Sequence, residues 1–190
     1  PAALAPEPAL GVVDNFEVTL SRARGRYVAL SDQDDSWFPD RLERSVADVK
    51  AAEGDGSRPV LVHSDLLLVN AEGQGTGQRF MATRGLDGHV DNPLGVLLRH
   101  NLVTGCSVTC NQALIQKARP FPERLVMHDW WLALVAAALG EVRVLDEPTV
   151  RYRQHSDNQV GASPLVGMAG LRRVFPGPAA RRALADVLRQ

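Results

Sequence analysis

A short apolar run that ends in three acids constrains this chain more than any other feature of its sequence. Residues 27–30 are apolar and strand-like, and Asp32, Asp34 and Asp35 follow directly. Carboxylates crowded at the end of a strand repel one another unless a cation lies among them. The pattern therefore predicts a divalent-metal site, and a metal held by one or two carboxylates is usually completed by phosphate oxygens.

The composition narrows the class of protein and its partners. The 190 residues are 45% hydrophobic and 23% charged, which predicts one domain with a real core. A net charge of -1 provides no basic field for nucleic acid, so we expect no such partner. Cys106 and Cys110 match neither a redox pair nor a zinc knuckle, and we interpret them as buried thiols on one face of a strand, in a reducing compartment. No apolar run approaches membrane-spanning length, so a cytoplasmic location is expected.

The predicted elements alternate between strands and helices, which indicates the α/β class. The predicted strands are residues 27–30, 60–69, 78–81, 102–110, 142–145 and 149–152. The predicted helices are residues 15–24, 91–99 and 130–139, with one more beginning at Pro39. The acidic cluster therefore lies between a buried strand and a helix.

A calcium-binding loop and a helix cap are the alternatives to a metal–phosphate site at the acids. A calcium-binding loop would need glycine at its sixth position, where Trp37 stands, and a helix rather than a strand before it. Asp34 or Asp35 could cap the following helix, and Asp40 could add charge to its first turn. One acid could act as a cap, but three are too many, so the metal–phosphate site remains the prediction.

The acidic stretch also resembles a known family. The segments that carry the resemblance are residues 15–16, 23–43, 63–65, 101–106, 111, 128–131, 152–155, 158 and 161. Taken together, they are similar to the inverting nucleotide-sugar glycosyltransferases of family two with the GT-A fold, especially rhamnosyltransferase-like members. Their order and spacing agree over about residues 11–162, which is more specific than an isolated DxD motif.

The resemblance implies an α/β fold of GT-A type, a Rossmann-like mixed sheet with flanking helices. Residues 1–162 would form part of such a domain, whose N-terminal βα units are missing from the sequence. A sheet without these units would have an exposed strand edge, so self-association or an added partner strand is expected.

The resemblance also assigns the donor-side residues. The DxD motif would place Asp32 near the ribose and metal, and Asp34 would ligate Mg²⁺ or Mn²⁺ bridging the diphosphate, with Asp35 as a further member. His155 would reach the metal and Arg153 the diphosphate. Residue 151 is also an arginine, so the choice between the two arginines stays open.

On the acceptor side, the resemblance makes Asp129 the general base that takes the proton of the attacking hydroxyl. Gly105 and Trp130 would lie beside the acceptor. Simpler structural roles stay open for all three: Asp129 as a helix N-cap, Trp130 as a core aromatic, and Gly105 as part of a bulge without function.

By resemblance, the chain transfers a sugar, rhamnose or another hexose, from a nucleotide-sugar donor to a glycan or lipid-linked hydroxyl acceptor with inversion. The setting would be cell-surface polysaccharide synthesis. A sugar nucleotidyltransferase is an alternative, although residues 73–77 lack the lysine or arginine that its glycine-rich loop would need. A second alternative is a non-catalytic fragment that serves as an assembly or binding module.

Residues 163–190 form a basic amphipathic segment with a predicted helix. Two interpretations stay open: a solvated helix that packs on its own domain, and a helix that docks on anionic lipid at the inner face of the membrane. The basic residues of this segment are Arg172, Arg173, Arg181, Arg182 and Arg189.

Overall fold

The structure, a computed structural model, describes residues 10–86, 89–123, 125–154 and 178–189. The helices are α1 Val12–Arg22, α2 Arg41–Ala52, α3 Phe80–Thr83, α4 Pro93–Leu97, α5 Gln112–Ala118, α6 His128–Leu139 and α7 Pro178–Val187, with a 3₁₀ turn at Gly105–Ser107. The strands are β1 Tyr27–Ala29, β2 Ser36–Trp37, β3 Val60–Val69, β4 Gly75–Arg79, β5 Thr109–Asn111 and β6 Glu141–Arg153.

The described strands form one mixed sheet in the order β1-β5-β3-β6-β2, and β4 pairs with β3 off this path. β3 and β6 are parallel, whereas every other pairing is antiparallel. β1 therefore runs in the same direction as β3 and β6. Because β1 and β2 lie at opposite ends of this order, the acidic loop between them crosses the sheet.

The core lies on both faces of the sheet. Successive side chains of a strand point to opposite faces, and β3 follows this rule. Leu61 packs in the cluster that contains Trp131 of α6, whereas Val60 packs with Val49 of α2. The apolar run of α6 is buried over most of its length, as a helix that is hydrophobic all round should be.

Gly140 joins α6 to β6 at a point of close backbone approach. A Cβ at this position would lie 1.8 Å from the carbonyl oxygen of Pro59, which itself accepts a 2.9 Å hydrogen bond from the amide of Glu141. Glycine therefore allows β6 to start directly beside β3.

Most of the predicted elements are confirmed. Helices occupy the regions predicted around α1, α2, α4 and α6, and the strands at residues 27–30 and 60–69 are present with small shifts at their ends. The two predicted closing strands are one continuous strand, β6, whose register against β3 shifts between Ser64 and Leu66. The coarse prediction of an α/β fold with a mixed sheet and flanking helices is confirmed, and the GT-A type stays a prediction.

The predicted strand at residues 102–110 is largely wrong. Only Thr109–Asn111 pairs as a strand, and Gly105–Ser107 is a 3₁₀ turn. Polar side chains bind the local backbone instead: the Asn101 side chain accepts from the amide of Val103, and the Ser107 hydroxyl donates to the carbonyl of Thr104. Such local bonds compete with a strand ladder.

The two cysteines consequently do not share a strand face. Cys106 lies in the 3₁₀ turn and Cys110 in β5, and they belong to different core clusters. Both are free and buried, as predicted.

The extended piece predicted at residues 78–81 is also partly wrong. β4 ends at Arg79, and Phe80 begins α3. The amide of Met81 donates to Oδ1 of Asp65, a buried acid at the bend of β3. This hydrogen bond at the first turn favours the helix over continued pairing.

The C-terminal segment is described over residues 178–189. Leu184 of α7 is 5% exposed and belongs to the core cluster that contains α6, so one face of this helix packs on its own domain. Leu188 is exposed. Within the described part of the chain, the helices are too short or too polar to cross a bilayer. Contact with a membrane surface stays a prediction.

Candidate functional site

The acidic loop converges with the 3₁₀ turn. One ligand atom from each of Asp32, Asp35 and Cys106 lies within 4.8 Å of the other two. Oδ2 of Asp35 is enclosed and has no hydrogen-bond partner among the described residues. Burial is the main cause that raises the pKa of Asp32 to about 6, and the charges of Asp35 and Asp34 add to it. A cation would relieve this arrangement, so the residues fit a divalent ion.

Asp34, which the resemblance names as the metal ligand, lies near the cluster of Asp32, Asp35 and Cys106 but is not part of it. Its carboxylate is close enough to raise the pKa values of Asp32 and Asp35. It is not one of the three residues whose ligand atoms converge in the described chain. Asp32 and Asp35 therefore supply the carboxylates of the cluster, and the assignment of Asp34 as a metal ligand stays a prediction.

Arg41 is the buried cation beside these acids, and the sequence pattern predicted no role for it. It is 1% exposed, and its guanidinium lies 4.1 Å from the ring centroid of Trp37. It donates to the carbonyl oxygens of Leu30 at 2.9 Å, of Val108 at 3.4 Å and of Cys106. Burial lowers the pKa of Arg41 to about 10, so it stays charged and opposes the rise in the pKa of Asp32.

Arg41 joins the end of β1 to the 3₁₀ turn. The available sequence signal was its place in the first turn of the helix that follows the acids. An arginine there is ordinarily exposed, so the sequence does not distinguish this position from a solvated one.

Arg153 connects the acidic loop to the turn between β3 and β4. Its amide donates to Oδ1 of Asp35 at 3.0 Å, and its Nε donates to the carbonyl oxygen of Asp34 at 3.1 Å. The guanidinium also donates to the carbonyl of Ala71. The structure therefore brings Arg153 to the acidic loop, its role at a diphosphate stays a prediction, and His155 lies outside the described residues.

Asp129 is 4% exposed in the first turn of α6. Its Oδ2 accepts from the amide of Gly105 at 2.9 Å, and its Oδ1 accepts from Asn101 at 3.3 Å and from the amide of Trp130 at 2.6 Å. Met127, rather than Asp129, occupies the N-cap position. The alternative role of Asp129 as the N-cap is therefore wrong.

The electrostatics of Asp129 suit proton transfer near neutral pH. Burial raises its pKa to about 6 against the lowering effect of its three hydrogen bonds. The charge of Asp32 also raises the pKa, so the two carboxylates interact. A base with a pKa near the working pH is both mostly ionised and able to accept a proton.

Consecutive residues of the 3₁₀ turn connect the two groups of acids. Gly105 binds Asp129 through its amide, and Cys106 contributes its sulfur to the cluster with Asp35. A Cβ at Gly105 would lie 3.0 Å from Nε2 of His128 and 3.5 Å from Oδ2 of Asp129. Gly105 is buried, so in this state its missing side chain makes room for His128 and Asp129.

The residues on either side of Asp129 belong to the core. Trp130 is 3% exposed, and its indole donates to the carbonyl of Leu97 at 2.7 Å. The His128 ring stacks on Phe16 with centroids 3.6 Å apart, and burial lowers its pKa to about 4. Trp130 is thus a core aromatic, and contact of Gly105 or Trp130 with an acceptor stays a prediction.

Comparison with known proteins identifies relatives of this chain but gives no activity for it. No family model matches the chain. The chain is 28% identical over 152 residues to uncharacterized proteins Mb1547 of Mycobacterium bovis and MT1570 and Rv1520 of Mycobacterium tuberculosis. Each alignment covers 77% of this chain and 40% of the relative, so the chain spans about two fifths of the relatives' length. Since these relatives are uncharacterized, function has to be argued from the site.

Proposed function

We propose that the chain carries the metal-binding acids and the base of an inverting, metal-dependent glycosyltransferase of GT-A type. The donor would be a nucleotide-sugar and the acceptor a hydroxyl of a glycan or a lipid-linked glycan. One observation carries the proposal: residues 105 and 106 join the buried carboxylate of Asp129 to the cluster of Asp32 and Asp35. A base and a cation site next to each other are what transfer from a diphosphate donor requires.

Asp32 and Asp35 would hold the cation, Mg²⁺ or Mn²⁺. Such an ion neutralises the charge that grows on a departing nucleoside diphosphate. Asp35 has an oxygen without a hydrogen-bond partner among the described residues, and burial, followed by the charges of Asp35 and Asp34, raises the pKa of Asp32. Arg41 is buried close enough to lower the pKa of Asp32, and it supplies one fixed positive charge.

Arg153 would act on the diphosphate. In the described state its side chain binds main-chain carbonyls of the acidic loop and of the β3–β4 turn. Carbonyls are weaker partners for guanidinium than phosphate is. A diphosphate at the acidic loop would therefore compete for Arg153 and be oriented by it.

Asp129 would take the proton of the acceptor hydroxyl as its oxygen attacks the anomeric carbon. The amides of Gly105 and Trp130 and the side chain of Asn101 hold the carboxylate in one orientation. Attack on the face opposite the leaving diphosphate inverts the anomeric centre. The donor sugar, with rhamnose as one candidate, would be selected by contacts outside this cluster.

Incubation with a panel of nucleotide-sugars and Mn²⁺ tests the proposal, with release of nucleoside diphosphate as the measurement. We expect release from at least one donor, and we expect EDTA to abolish it because the cation is required. The Asp14→Asn variant, altered at an exposed acid of α1, should behave as the wild type. If the protein bound Mn²⁺ but released no diphosphate from any donor, the enzyme proposal would fail in favour of a non-catalytic binding module.

A further inference from the structure

A cavity of 490 Å³ lies along the first half of β6, apart from the acidic cluster. Its apolar wall is formed by Leu97, Leu102, Val103, Val142 and Val144. Of the described residues, those proposed for sugar transfer do not line it. The volume falls within the usual range for small-molecule sites.

His63 of β3 lines this cavity, and one of its ring nitrogens has no hydrogen-bond partner among the described residues. The residue is 2% exposed, and its Nδ1 is enclosed without a hydrogen bond in the described part of the chain. Burial lowers its pKa to about 4, so the imidazole is neutral near pH 7 and one ring nitrogen can accept a hydrogen bond. Buried polar side chains rarely remain unpaired, so this one points to a missing ligand group.

Charges at the rim define what kind of ligand this is. Arg143 is the one arginine or lysine among the described residues that line the cavity, and Asp48 and Glu141 already bind it at 3.2 and 3.1 Å. The remaining carboxylates are Asp91 and Asp146. Excess negative charge at a cavity mouth attracts cations and disfavours anions.

The neighbouring histidine contacts one of these carboxylates only at the protein surface. Nε2 of His89 lies 3.2 Å from Oδ1 of Asp146, and the two side chains are 63% and 83% exposed. An exposed pair of this kind is weak and leaves its carboxylate open to a competing cation.

We propose that this cavity binds a small organic cation that carries one ammonium group on an apolar body. The apolar body packs against the leucines and valines of the wall. The ammonium group donates to the neutral imidazole of His63 and faces the carboxylates of Asp91 and Asp146. This site is separate from the proposed sugar-transfer site and does not depend on it.

NMR titration with benzylammonium and with neutral benzyl alcohol, which has nearly the same shape, tests the proposal. We expect saturable shifts at the backbone amides of His63, Val103 and Val144. Benzylammonium should bind about five-fold more tightly than the alcohol, because the carboxylates favour its charge. Equal affinity for the two probes, shifts confined to other regions, or no saturation at tens of millimolar would each overturn the proposal.

Two variants separate the contributions of charge and imidazole. The Asp91→Asn/Asp146→Asn double variant changes exposed residues, so it should fold normally and lose the preference for benzylammonium. The His63→Leu variant removes an unpartnered buried polar group, and it should weaken benzylammonium more than benzyl alcohol. Asp14→Asn, remote from the cavity lining, is the control and should leave both affinities unchanged. If the double variant kept the wild-type preference, the assignment of a cation site would be wrong.

Discussion

The backbone amide of Gly105 donates a 2.9 Å hydrogen bond to Oδ2 of Asp129. The next residue, Cys106, places its sulfur among the carboxylates of Asp32 and Asp35. A displacement of this turn would therefore move the proposed base relative to the proposed cation site. The turn is buried, and Arg41 binds its backbone, which favours one fixed geometry.

Replacing Asp129 with asparagine should change how stability depends on pH. The folded pKa is raised from 3.8 to about 6, so between about pH 4 and pH 6 the unfolded chain releases this proton first. Ionisation of Asp129 thus removes stability from the wild type as the pH rises. Relative to wild type, the free energy of unfolding of Asp129→Asn should rise by about 2 kcal/mol between pH 4 and pH 7, measured by urea unfolding.

Other groups, including His63 and His128, titrate in both proteins. Their effect therefore largely cancels when the free energy of unfolding of the wild type is subtracted from that of the variant. Asp14→Asn serves as the matched control at an exposed position and should show little such trend. If the difference in free energy of unfolding between Asp129→Asn and the wild type stayed constant from pH 4 to pH 7, Asp129 would not be buried in solution as it is in the structure.

Removal of the buried guanidinium in Arg41→Met should destabilise the fold by about 3–5 kcal/mol, because it leaves nearby acids uncompensated and carbonyls unpaired. Arg44→Met on the same helix is the control. Arg44 has a surface pair with Asp40 at 3.5 Å, so its loss should cost about 0.5 kcal/mol or less. Thermal and urea unfolding measure both variants, and equal losses would contradict the buried role of Arg41.

Gly105→Ala should destabilise the protein by about 1–3 kcal/mol, since the new methyl group would lie 3.0 Å from Nε2 of His128. It should also lower the rate of sugar transfer by displacing Asp129. Gly75→Ala is the control, because a Cβ there meets no atom within 4 Å. If both alanine variants unfolded at the same urea concentration, the close packing at the 3₁₀ turn would be refuted.

Manganese binding, followed by electron paramagnetic resonance, should distinguish the acids of the loop. We expect Asp32→Asn and Asp35→Asn each to weaken Mn²⁺ at least about ten-fold through loss of a ligand. Asp34→Asn should weaken it about two- to three-fold through loss of a nearby charge. A larger loss at Asp34 than at Asp35 would restore Asp34 as the main ligand and show that the loop rearranges around the ion.

Hydrophobic patterning was sufficient to predict the larger elements. α2, β3 and α6 each carry several apolar residues at helical or strand spacing, and all three are present. The prediction of a strand at residues 102–110 failed because the spacing of its apolar residues is typical of a strand. In the structure, Asn101 and Ser107 bind the local backbone instead. Such capture by short polar side chains is not visible in apolar periodicity.

The site could be predicted only in part, because its members are distant in sequence. The acidic cluster was evident as a local run, but the approach of Cys106 to Asp35 depends on how the strands are ordered. Arg41 has no local signal of burial, since its position in a first helical turn is normally exposed. The tertiary fold decides which of these polar residues meet.

Sugar transfer by Asp129→Asn, measured beside the wild type, decides whether Asp129 is the general base. The measurement is acceptor-dependent release of nucleoside diphosphate in the presence of Mn²⁺, with Mn²⁺ affinity measured in parallel. We expect the variant to lose transfer by about 10²-fold or more, because its general base is gone, while Mn²⁺ affinity stays within about two-fold. Equal, measurable transfer by the variant and the wild type would show that Asp129 is not the base.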